Sequence, residues 1–268
     1  MGSLSVAEAC AGPPPLPHNV GIALARFREN IDIWEPYAPV VQIYDKGDIS
    51  PENDTIDRTK FLSYEKRPNK GREGESWLYH IVTHYDNLPE YNIFSQASPW
   101  DILGAAFNNP EPMLEVCLDL KPGGFTPFNE DLYHVVADWD KINWTDPKEA
   151  LWMTPSQLRS LDFADMTPGE YWMQVLGIQH PPSITASHGG TFCASRESIL
   201  QWPKDVYERA LEAFREANST NPEEGFFQER MWAPMFDFRN WLGKPKNPWR
   251  REEHVNGKRG HISIHAIL

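Results

Sequence analysis

Short apolar runs separated by amphipathic stretches of helical period set the fold of this 268-residue chain. The segments VGIALARF from Val20, VVQIYDKG from Val40, YNIFSQAS from Tyr91, YHVVADW from Tyr133 and GGTFCAS from Gly189 read as strands. Runs with so few polar positions suit strands covered on both faces. Helical patterns lie between and after them, at 74–87, 168–176, 204–217 and 224–236. This alternation predicts one α/β domain, with a GT-A/Rossmann-like, mostly parallel sheet flanked by helices on both faces. The expected organisation is a flexible Pro-rich leader at 1–18, a catalytic domain at 19–243 and a basic tail at 244–268. The Pro-rich pieces at 108–130 and 243–248 read as loops.

Ligands of open α/β sheets sit beyond the carboxyl ends of the strands. That rule nominates Arg26 and Glu29, Asp45 and Lys46, Gln96 and Asp101, and Ser195 and Arg196.

A net charge of −13 argues against a general nucleic-acid binder and gives no reason to expect DNA as a partner. The charge is unevenly spread, however. From Arg239 onward, seven Lys and Arg face only Glu252 and Glu253. Cys10, Cys117 and Cys193 are far apart and form no CxxC pair, so a reducing compartment without a structural disulfide is expected. No apolar run of about 18 residues exists to span a membrane, and the N-terminus lacks the regions of a signal peptide. A cytoplasmic protein with no membrane partner is the expectation.

Several short motifs are weak. HIVTH places His80 and His84 one helical turn apart, but Ile81 stands where metalloprotease helices carry Glu. DWD at 138–140 resembles the DxD of sugar transferases, yet such a triplet arises easily among 38 acidic residues. The sequence has no Gly-rich phosphate loop and no GxSxG elbow. No metal site is assigned.

Two charged stretches stand out. The helix within NKGREGESWLYHIVTHYDNL opens on Gly71-Arg72-Glu73-Gly74. Arg72 there opposes the positive end of the helix dipole, whereas Glu73 suits it. Near the end of the domain, FFQERMWAPMF sets Glu229 and Arg230 among Phe226, Phe227, Met231 and Trp232. Charges in so apolar a helix are paired or functional.

Taken in order, ALARFREN, IYDKG, NKGREGESWLYHIVTHYDNLP, NIFSQASPWD, GGTFCASRESILQWPKDVYERALE and QERMWAPMF resemble a fungal family with a distant likeness to GT-A glycosyltransferases. The family, formerly described only as a domain of unknown function, is that of the arginine-containing cyclodipeptide synthases. The resemblance spans roughly residues 20–240 and implies an enzyme that draws amino acids from aminoacyl-tRNAs, arginyl-tRNA among them. It would condense arginine and a second amino acid into a diketopiperazine, with no cofactor beyond the aminoacyl-tRNA substrates. The alternatives are a nucleotide-sugar glycosyltransferase, although the third strand ends in SQAS with no DxD, and a catalytically silent binding protein of the same fold.

The first of these reactions requires one α-amine to attack the carbonyl of a second aminoacyl ester. An α-amine titrates at about 7.7 to 8.0, so a strong base is not essential. Proximity, a proton acceptor and oxyanion donors are the larger needs. Glu229 and Glu73 are the candidate acceptors. Gln96 and the amides of Gly189 and Gly190 are the candidate oxyanion donors. Asp45, Asp101 and Glu73 are candidate partners for a guanidinium. In the tail, Lys244, Lys246, Arg250, Arg251, Lys258 and Arg259 are candidate contacts to tRNA phosphates. Arg72 is expected to point toward a phosphate or carboxyl oxygen.

Overall fold

Four parallel strands form the frame that positions everything else: β1 (Val20–Arg26), β2 (Val41–Asp45), β3 (Ser63–Lys66) and β4 (Tyr91–Gln96). They belong to a computed structural model that describes residues 19–50, 54–100, 103, 107–128, 134–141, 155–187 and 189–237. Two further strands, β5 (Phe125–Pro127) and β8 (Phe192–Ser195), complete a six-stranded sheet in the order β3-β2-β1-β4-β8-β5. β8 runs antiparallel to both β4 and β5. A separate antiparallel pair joins β6 (His134–Ala137) to β7 (Ser183–Ala186). The helices are α1 (Arg72–His84), α2 (Pro110–Leu118), α3 (Pro155–Arg159), α4 (Pro168–Leu176), α5 (Arg196–Leu200), α6 (Lys204–Ala217) and α7 (Glu223–Phe236). The expected mostly parallel α/β sheet flanked by helices is what the chain forms. The leader at 1–18 and the tail from 244 lie outside the described residues.

The two-residue period of the strands divides the core between the faces of the sheet. Val20, Ile22 and Leu24 of β1, with Ile43 and Ile93, pack under Trp34, Met113 and Leu114. Ala23, Tyr44, Phe94 and Phe192 turn to the other face and meet Trp77, Ile81, Phe214, Phe227, Trp232 and Phe236 of the helical layer. Within that layer α1 lies against both α6 and α7. Burial on both faces is the reason β1, β2 and β4 read as near-continuous apolar runs.

Three expectations are corrected. Residues 108–130 are not simply a loop, because α2 and β5 fall within them. Asn109 caps α2 by accepting from the Glu111 amide at 2.9 Å, and Pro110 stands at the first helical position, where its missing N–H loses nothing. Cys117 and Cys193 are joined in a disulfide between α2 and β8, with 5.6 Å between their Cα atoms, although no structural disulfide was expected. Their pairing depends on an approach across 76 residues that spacing does not reveal. Finally, β8 is antiparallel, so its carboxyl end points the opposite way from those of β1 to β4.

The first histidine of HIVTH is a core residue and the second is half-buried. His80 is buried, shares a 2.8 Å hydrogen bond through Nδ1 with the Tyr44 hydroxyl and packs edge-on to Phe94. Burial, with His84 nearby, pushes its imidazole down to about 3. The folded protein keeps His80 neutral, while the unfolded chain protonates it near about pH 6.5. The contribution of His80 to stability is therefore full above that pH and falls below it, with a slope that approaches about 1.4 kcal/mol per unit. Urea titrations between pH 7 and pH 5 should show this slope in the wild type and lose most of it in His80→Gln. An equal slope in both proteins would assign the acid sensitivity elsewhere.

The acidic triplet DWD is likewise structural at its second aspartate. Asp140 Oδ1 accepts from Thr167 Oγ1 at 2.6 Å and from the Gly169 amide at 3.0 Å, tying down the start of α4 beside the Thr167 and Glu170 capping box.

Candidate active site

The chain enters α1 through two successive left-handed residues, Gly71 at φ 62° and Arg72 at φ 48°. A side chain at Gly71 would place its Cβ 2.4 Å from Phe214 Cδ1, so both the conformation and the space require glycine. Arg72 has no such exemption, and its left-handed backbone is held from below. Lys46, buried at the end of β2, donates from Nζ to the Arg72 carbonyl at 2.6 Å and to that of Lys70, and it pairs with Glu75 Oε2 at 2.7 Å. Its ammonium thus sits among two carbonyls and one carboxylate. Arg67 holds the other Glu75 oxygen at 2.5 Å and stacks on Tyr79 with 3.4 Å to the ring centre.

Above this clamp, Gly71, Arg72, Glu73 and Gly74 line a narrow cleft with room for about one water molecule, together with Gly190, Gly225, Phe226, Glu229 and Trp232. Glu73 lies against Gly190, where an added Cβ would stand 3.4 Å from its carboxylate. Glu229 Oε1 accepts the Gly189 amide at 2.8 Å, which fixes the left-handed turn (φ 72°) leading into β8. Arg72 Nε approaches Glu73 Oε2 at 3.5 Å, and its guanidinium lies 5.4 Å from the Phe226 ring centre. Burial raises the Glu229 carboxyl above the ordinary glutamate range; Glu73 adds to this, against the pull of Arg230 and Arg72. Glu73, and behind it Glu229, in turn hold Arg72 more firmly protonated.

Five of the expected site residues thus come together: Arg72, Glu73, Gly189, Gly190 and Glu229. They meet because β8 begins beside the end of β4, Phe94 pairing with Phe192, so the turn before β8 stands at the carboxyl ends of the parallel strands. The Gly189 amide, expected to face an oxyanion, is engaged by Glu229 instead.

The other strand-end residues serve a buried ionic network. Arg26 forks onto both oxygens of Asp54 at 3.1 and 3.0 Å, approaches Asp45 at 3.3 Å and donates from Nε to the Glu29 carbonyl. Asp45 accepts from Tyr64 and the Gly47 amide and pairs with Lys66 at 3.0 Å. Its carboxylate is saturated within the chain and is not left for a substrate guanidinium. The Glu29 carboxylate accepts the amides of Phe27 and Arg28. Gln96 ends β4 but is not among the residues lining the cleft. Arg196 stands at the opposite end of the sheet, its amide bonded to the Glu90 carbonyl before β4, because β8 runs antiparallel. Asp101 and the candidate RNA contacts Lys244, Lys246, Arg250, Arg251, Lys258 and Arg259 lie outside the described residues.

Sequence reasoning missed Glu75 and Arg67, which complete the clamp, and Asp54, the fork partner of Arg26. A carboxylate on the apolar side of an amphipathic helix was the available signal for Glu75. No helix among the described residues is long and apolar enough to cross a membrane.

Fold and site together define an α/β protein with a cleft walled by carboxylates and aromatic rings where its central helix begins. A family model described as "Protein of unknown function (DUF3431)" matches residues 46–117, a span that opens on Lys46 and takes in all of α1. No curated protein and no solved structure matches the chain.

Proposed function

We propose that the protein is an aminoacyl-tRNA-dependent cyclodipeptide synthase that joins arginine to a second amino acid in this cleft. The observation that carries the reading is the pairing of Glu229, a carboxyl whose proton affinity is raised by burial, with Glu73 across a cleft floored by glycines. A carboxyl tuned upward can accept a proton from an attacking α-amine and return it to a departing ribose hydroxyl. A second carboxylate beside it supplies the planar partner that a guanidinium needs. Gly71, Gly74 and Gly225 pack on Phe214 and Gly190 on Glu73, which draws the two carboxylate-bearing walls of the cleft together.

In the first step the free amine attacks the other ester carbonyl, an amide bond forms and one tRNA leaves with its 3′-terminal hydroxyl protonated. In the second, the remaining amine attacks the remaining ester, the ring closes and the second tRNA departs. Glu229 moves the proton in each. The sugar-transferase alternative has no comparable support, because Asp140 of DWD is committed to the start of α4.

The test is product formation. The full chain, supplied with tRNA, synthetases, amino acids and ATP, should yield an arginine-containing diketopiperazine detectable by mass spectrometry. Ribonuclease should abolish it. A folded protein that gives no cyclic dipeptide with any amino-acid mixture would overturn the assignment.

A further inference from the structure

We propose that the cleft is a guanidinium site and that Arg72 is its resident occupant, displaced when an external guanidinium enters. This rests on the reading of the cleft as the place where arginine binds, and it adds a role for a residue of the chain itself.

The cleft offers what a guanidinium requires: two carboxylates, Glu73 and Glu229, and an aromatic wall of Phe226 and Trp232. Arg72 occupies that position, with its guanidinium carbon 5.4 Å from the Phe226 ring centre and its Nε 3.5 Å from Glu73. Its backbone and its side chain are held very differently. The backbone is fixed in a left-handed conformation, which is disfavoured for a residue with a Cβ, by the Lys46 ammonium on its carbonyl and by Gly71 packed on Phe214. The side chain is 30% exposed, and its pairing with Glu73 is one long approach rather than a two-point fork. The result is a fixed shoulder carrying a weakly held arm.

An arm of that kind answers an electrostatic requirement. Without a cation, two carboxylates in one partly desolvated cleft repel each other and destabilise the site. Arg72 offsets Glu73 while the site is empty, with Arg230 behind Glu229 as the larger cationic influence on that carboxyl, and an entering guanidinium replaces Arg72 like for like. The resident arm also sets the affinity, since a ligand that must displace it binds more weakly than one entering a vacant site.

The experiment is calorimetric titration of the full chain with arginine methyl ester and with citrulline methyl ester, its uncharged isostere. Arg72→Ala should bind the arginine ester roughly tenfold more tightly than the wild type, because the fraction of competent sites rises. The citrulline ester should gain nothing, and Glu229→Gln added to Arg72→Ala should remove the gain. Arg72→Met, which keeps an apolar contact with Phe226, gives the same comparison should the alanine variant not fold. Equal or weaker binding of the arginine ester by the Arg72 variants, or an equal gain for citrulline, would overturn the proposal. Tightening in a protein that makes no cyclic dipeptide would support this site and reject the synthase. Product without tightening would reject the resident role of Arg72 alone.

Discussion

Glu229→Gln is expected to slow cyclic dipeptide formation by about 10²- to 10⁴-fold, the range in which a positioned general base contributes, while the protein stays folded. The amide keeps an oxygen to accept the Gly189 N–H, so the turn before β8 survives. It loses the proton acceptor. The stability readout separates the two roles of the residue. Because burial raises the Glu229 pKa in the fold, its contribution to stability is present at low pH and is lost as pH rises through the folded value. At neutral pH the buried charge therefore opposes folding, and the glutamine variant should unfold at an equal or higher urea concentration. In the wild type, the rate should climb with pH through the raised Glu229 pKa, and that limb should vanish in the variant. A Glu229→Gln protein with the wild-type rate and pH profile would move the base elsewhere.

Lys46→Met should destabilise the fold by about 3 to 5 kcal/mol, as expected when one partner of a buried ion pair is removed and the other stays. Glu75 would keep Arg67, but the carbonyls of Lys70 and Arg72 would lose the cation that they share. Burial already lowers the Lys46 pKa against the pull of Glu75, so the ammonium is held by its three partners rather than by solvent. Lys46→Arg should restore little, since a planar fork does not reach three acceptors placed for an ammonium. Hydrogen exchange would locate the damage, with the first turn of α1 exchanging faster and the far end of α6 unchanged. A loss in urea stability under about 1 kcal/mol would show that the clamp contributes no more than a surface pair.

Much of the fold was legible because the central strands are covered on both faces and their neighbours are strongly amphipathic helices. α4 and α6 were bounded correctly from sequence, and α7 to within one residue. β3 was missed because Ser63–Lys66 is a polar edge strand, mostly exposed or half-buried, with no apolar face to read. α2 was missed because its prolines suggested a loop, although one of them opens the helix. The direction of β8 was illegible for a different reason. Alternation reports a strand and which face it buries, but not which way the chain runs, and Arg196 was misplaced by a whole sheet length as a result. Within the site, the helix start at Arg72 and the charge in α7 each stood out as local conflicts with propensity. That they converge depends on α7 crossing over α1, which no local pattern encodes.

The sheet order also sets when in the life of the chain the cleft can exist. Residues 20–96 contribute the four parallel strands and α1, all joined by nearby segments, whereas the strand that seats itself beside β4 arrives about a hundred residues later. Local pairings form early and distant ones late, both in refolding and as a chain leaves the ribosome. The nascent protein thus carries Arg72 and Glu73 for a long interval with no opposing wall. The cleft is therefore complete only once β8 and α7 have docked against the parallel strands and α1.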